Sequence, residues 1–136
     1  MFECEILYDY PIREISIPVS VSCTECPEMI TDCLGIVDTG ATASMISADI
    51  AKALSLRPNG RITVNGVHGS QAAYTYLADV AFGNGAFTFR NLPVSEADNN
   101  AGFDFLIGMD ILGQGDFSFC RNERGMHVFR FSLDQQ

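Results

Sequence analysis

At 136 residues the chain has the size of one domain, and its 47% hydrophobic content, with 10 Phe, can fill a core. Eight basic against seventeen acidic residues leave a formal net charge of −9 and no basic stripe, which argues against nucleic acid and anionic membranes as partners. The acids are scattered, so a disordered acidic tail is not expected either.

The chain opens on MFECEILYDYPIREISIPVS, with acids where the basic region of a secretory leader would stand and no long apolar stretch. No segment nears the roughly 18 apolar residues of a membrane span, so a cytoplasmic protein with one domain over 1–136 is expected. EISIPVSVSC, Glu14–Cys23, alternates with period two and predicts a strand. TECPEMIT makes a loop around Pro27, and CLGIV resumes as a buried strand. SADIAKALSL reads as the first helix, with Ser47 as N-cap and Ile50, Ala51 and Leu54 on one face; Pro58 and Gly60 mark its end. RITVNGVHG, SQAAYTYLADVAF and FTFRNLPV follow as strands, punctuated by Asn65, Gly66, Gly69 and the pair Gly83 and Gly85. SEADNNAG is a polar loop, and FDFLIGMDILGQG is an apolar run leading into a short helix between glycines. DFSFCR and MHVFRFSL, joined by NERG, close the chain as a hairpin.

Five cysteines without a leader imply reduced thiols. Cys23 and Cys26 form a CxxC, with Cys33 seven residues on and Cys4 upstream, and four thiolates could in principle hold a structural zinc. Lacking a second pair at regular spacing, they read instead as thiols in or beside a hairpin, and Cys120 as a strand residue. No metal and no other cofactor is expected. The sequence has no Ser/His/Asp grouping, HExxH or phosphate-binding glycine loop; His127 reads as structural, and Tyr74 and Tyr76 as strand packing.

Three features carry chemistry. IVDTGAT puts Asp38 at a strand end, followed by Thr39 and by Gly40, which frees the backbone for close approach. TVNGVHGSQAAY is a glycine-punctuated hairpin about 30 residues later, and FLIGMD runs an apolar strand into Gly108. An ionised carboxylate at the end of an apolar run needs a partner or hydrogen bonds. In this order and spacing, from about Ile17 to Leu112, the three features resemble the retropepsin family, the single-lobed aspartic proteases of retroviruses and their cellular relatives.

The resemblance implies an all-β, closed, barrel-like fold with one or two short helices and a flap hairpin. It also implies an aspartic endopeptidase that works as a homodimer on a peptide or protein substrate. Only one DTG triplet is present, so Asp38 of each copy would meet on a two-fold axis. Thr39 would hydrogen-bond across that axis, and Gly40 would let substrate backbone pass. Ala41 and Thr42 would line the cleft, with pocket residues drawn from Ile36, Leu106 and Ile107. Gly66, Val67, His68 and Gly69 would form the flap, whose Val67 N–H could hold a substrate-bridging water. His68 reads as an exposed loop residue or, since histidine as a residue type ordinarily titrates near 6.5, as a pH-sensitive lid. Asp110 would be structural, complementing a helix N-terminus. Thr42 and Met109 stand where the retroviral pattern has an Asp and an Arg that pair with each other. Two other readings remain: a catalytically silent dimerisation or peptide-binding module of the same fold, and a Cys-based metal or redox protein.

Overall fold

The computed structural model describes residues 1–9, 11–66, 69–98 and 100–134. Among the described residues, ten strands and two short helices follow one another. The first strand, β1 (Phe2–Tyr8), precedes those expected from the sequence, and β2 (Ser16–Cys23) starts two residues later than its alternation suggests. On β2 the period of two does its work: Ile17, Val19 and Val21 are buried, whereas Pro18 between them is exposed. It pairs antiparallel with β3 (Ile30–Val37). β3 is not the buried strand that CLGIV predicts, because it alternates too and leaves Leu34 54% exposed.

After β3 come β4 (Met45–Ser47) and α1 (Ala48–Ala53). Ser47 caps α1 as expected, its Oγ accepting from Ile50 N at 3.1 Å, a bond worth about 1 kcal/mol in typical helices. β5 (Gly60–Gly66) and the long β6 (Gly69–Phe82) form a hairpin whose distal half is solvent-exposed. β7 (Phe87–Ala97) runs on through Ser95, Glu96 and Ala97, so the polar loop expected from SEADNNAG is shorter. Its parallel pairing with β4, Met45 with Ser95 and Ser47 with Ala97, supplies backbone partners that outweigh the polar composition. β8 (Phe105–Ile107) leads into α2 (Met109–Leu112), and β9 (Asp116–Arg121) and β10 (His127–Leu133) close the chain.

Six strands, in the order β2-β3-β8-β4-β7-β6, form a barrel closed by a β2–β6 ladder, with β5 attached outside β6. A separate sheet, β1-β10-β9, uses both ends of the chain. Its inward residues, among them Phe2, Phe129, Phe131 and Leu133, join the barrel interior in one apolar cluster. A register shift in β6 between Ala78 and Val80 brings Asp79 inside. This buried carboxylate accepts from Thr24 Oγ1 and from Asn91 N, each at 2.9 Å, and faces Arg90 at 3.5 Å.

The cysteines lie on different elements: Cys4 on β1, Cys23 and Cys26 at the β2–β3 connection, Cys33 on β3 and Cys120 on β9. Burial, with Asp104 and Asp32 nearby, pushes the Cys33 thiol up to about 11. The folded chain therefore holds that proton more tightly than the unfolded chain, and stability is lost as pH rises from 9.0 through about 11. Because the thiolate is the nucleophile, Cys33 should resist iodoacetamide at pH 8 while an unfolded sample reacts fully. Equal alkylation rates by mass spectrometry in the two states would contradict this protection.

Candidate active site

The loop after β3 is fastened at each step. Asp38 N donates to Ile107 O at 2.9 Å, which extends the parallel β3–β8 ladder by one residue. Asp38 O accepts from Ala41 N at 3.2 Å, closing a tight turn, and Gly40 N donates to Asp38 Oδ1 at 2.9 Å. The last bond is the usual way an Asp stabilises its own turn, and it fixes the carboxylate while leaving Oδ2 free for other chemistry. Asp38 is half-buried and Thr39 and Gly40 are exposed, so the group stands at a surface, with apolar β3 behind it.

A second layer holds this turn from below. Met109 N donates to Ala41 O at 2.8 Å. Ser44, fully buried, donates from Oγ to Asp110 Oδ1 at 2.7 Å and accepts there from Gly108 N at 3.1 Å. Its own N–H reaches Asp110 Oδ2 at 2.9 Å, and Ile111 N reaches Asp110 Oδ1 at the same distance. Asp110 thus has both oxygens engaged, at the first turn of α2. It does the structural work expected of it, and Ser44 is the partner that sequence reading missed. Nothing in a run of small residues marks one hydroxyl as buried, so only the fold could single it out.

The turn gathers Asp38, Thr39, Gly40 and Ala41, with exposed Thr42 just beyond. Ile107 needs correcting as a pocket residue. It is fully buried, and a Cβ placed on Gly35 would lie 2.7 Å from its Cδ1, so it fills the core. Alternation explains the difference: Ile36 pairs with Leu106 on one face of the β3–β8 ladder, and Val37 with Ile107 on the other. Leu34 and Ile36 share the face on which Asp38 follows. There they line a cavity of about 410 Å³ with Phe103, rimmed by Glu14, Asp49 and Asp104. Gly66 and Gly69 pair with each other across the β5–β6 hairpin, and Gly69 has a φ of 107°, open to glycine. Val67 and His68 lie outside the described residues. His127, on β10, accepts from Ile12 N at 3.1 Å through Nδ1 and stacks edge-on with Phe119. Among the described residues, no group of three or more His, Cys, Asp or Glu is placed to hold a metal ion. No helix among them is long and apolar enough to cross a membrane.

Three comparisons bear on this arrangement. Residues 32–114, more than half of the chain, match the family described as gag-polyprotein putative aspartyl protease. Among curated proteins there is no match. Among solved structures, a retropepsin-like aspartic protease from Rickettsia conorii superposes with a TM-score of 0.60 at 15% identity, covering 98% of this chain and 95% of its own. EIAV protease complexed with the inhibitor HBY-793 gives 0.56 at 17%, covering 76% of this chain and 90% of its own. Simian foamy virus (mac) protease gives 0.51 at 12%, covering 73% and 92%. With the six-stranded barrel, the two short helices and the anchored Asp-Thr-Gly turn in the matched segment, the chain belongs to the retropepsin-like aspartic protease family.

Proposed function

We propose that the chain is an aspartic endopeptidase whose active site forms when two copies bring their Asp38 carboxylates together. The observation that carries this reading is a surface carboxylate with one oxygen fixed by Gly40 N, while Asp110, in the layer below the turn, is spent on Ser44 and Ile111. A carboxylate positioned so firmly and left facing outward suits a partner supplied by a second chain.

Two carboxylates about 3 Å apart cannot both ionise, so the pair holds one proton and titrates as a unit. The ionised member takes a proton from the water between them, and the resulting hydroxide attacks the scissile carbonyl carbon. The protonated member gives its proton to the carbonyl oxygen, producing a neutral gem-diol. Collapse breaks the C–N bond: the nitrogen gains a proton from the dyad and leaves as an amine, and a gem-diol hydroxyl returns one. Gly40 would let the substrate backbone lie close, Thr39 would tie the two turns together, and Ala41 and Thr42 would flank the cleft. Gly66 to Gly69 would cover an extended peptide, which adds main-chain bonds like an extra strand. The acid-rimmed cavity on the Asp38 face of β3, floored by Leu34, Ile36 and Phe103, would receive a substrate side chain.

The reading is tested with a peptide library scanned from about pH 4, near the upper dyad pKa known for such pairs, to about pH 7, with and without a transition-state-mimicking aspartic protease inhibitor. Cleavage that the inhibitor removes is the expected result. A purified dimer that cleaves nothing across the library would sink the enzymatic reading in favour of a binding module.

A further inference from the structure

Resting on that reading, we propose that the cavity beside the Asp38 turn selects a basic side chain. The chain would then cleave peptides that carry Lys or Arg a few residues from the broken bond. The β3–β8 ladder places the cavity for this role. Leu34 and Ile36 line it from the face of β3 on which Asp38 follows. Ile36 stands about 7 Å and Leu34 about 13 Å from Asp38 along the strand. An extended peptide lying over the turn advances by the same rise, so residues two to four places from the cleaved bond pass over the cavity.

Floor and rim ask for different chemistry. Leu34, Ile36 and Phe103 offer apolar surface against which a methylene stem can be buried. Glu14, Asp49 and Asp104 surround them from three places: the segment before β2, the first turn of α1 and the residue before β8. Among the described residues, no Lys, Arg or His lines the cavity. The ion pairs there, Arg90 with Asp79 and Arg130 with Glu5, use none of the three rim carboxylates.

Lysine and arginine answer both parts at once, with an apolar stem that ends in a cation. An apolar side chain would meet the floor and leave the rim without a counter-charge, and an acidic one would be repelled. The rim carboxylates are exposed, so each attraction is modest and screened by salt, and the three together amount to about tenfold in selection. The net charge of −9 draws the same kind of peptide toward the chain. If two equivalent copies share the site, each brings one such cavity. The preference should therefore recur at the same distance on both sides of the cleaved bond.

The test uses two fluorescein-labelled peptide libraries at about pH 6, inside the range scanned above. They are randomised except at one scanned position, which holds either Lys or norleucine, the same stem without the ammonium. Cleavage should be about tenfold faster with lysine at a mirrored pair of positions, and about 0.5 M NaCl should shrink that ratio. Asp104→Asn and Glu14→Gln should each lower the lysine-to-norleucine ratio about two- to threefold, and Asp104→Glu should keep it. Inhibitor-sensitive cleavage with a ratio near unity overturns the basic preference and leaves the protease reading intact. A lysine preference that neither variant lowers overturns the role of this cavity. If nothing is cleaved, the protease reading falls, and fluorescence anisotropy of the same libraries decides the rest. Tighter binding of the lysine library, weakened by Asp104→Asn, supports the selective cavity; equal binding, or none, overturns it.

Discussion

Asp38→Asn is expected to lower peptide cleavage by about three orders of magnitude or more, roughly 4 kcal/mol of transition-state stabilisation, without loosening the fold. The two halves of this expectation have separate causes. Asparagine keeps an oxygen where Asp38 Oδ1 accepts from Gly40 N, so the turn survives. It cannot take a proton from water, and with both copies changed no carboxylate is left at the dyad. The change removes charge at a half-exposed position, so the unfolding midpoint should move little. Cleavage assays beside urea denaturation separate the two effects. A variant that unfolds says nothing of the chemistry, whereas a folded variant that still cleaves would end the shared-carboxylate mechanism.

Gly108→Ala is expected to cost about 2–4 kcal/mol of stability, and cleavage with it. The reason is steric and local. A Cβ at this position would lie 2.8 Å from both the carbonyl carbon and the oxygen of Ala43, and 3.0 Å from Ala41 O. All three contacts are backbone, so no rotamer relieves them. The chain segment pushed away is the one whose Ala41 carbonyl holds Met109 N and whose Ser44 holds Gly108 N. Gly35 offers the contrast. A Cβ there meets only side chains, Ile107 Cδ1 at 2.7 Å and Cγ1 at 3.0 Å, which can repack at a smaller cost than backbone can move. Urea unfolding of the two alanine variants should rank Gly108→Ala well below Gly35→Ala. Equal stability would mean that the floor of the Asp38 turn is softer than its bonding suggests.

How much of this was legible before the structure depends on how local each cause is. The β2 strand, the Ser47 cap and the closing hairpin follow from alternation and from one hydroxyl three residues before an amide, so the sequence carries them openly. The Asp-Thr-Gly turn was visible because its residue types are unusual together. Ser44 was not, because its bonds to Gly108 and Asp110 come from residues more than 60 positions away. Ile107 misled for a related reason: in an all-apolar strand such as FLI, composition does not say which face meets the core. The extension of β7 into SEA shows the same limit from the other side, since β4 pairing overrides polar composition.

One feature of the terminal sheet reaches beyond catalysis. Phe2 pairs with Leu133, so the first strand and the last lie side by side and the backbone nearly closes on itself. Phe2 and Leu133 stand together at one end of the β1–β10 ladder. Adjacent ends of this kind tolerate circular permutation and insertion into a host chain, because a short linker can bridge them without pulling on the core. The domain is in this sense portable, able to be spliced into a longer polypeptide at one seam with the anchored turn and its supports undisturbed.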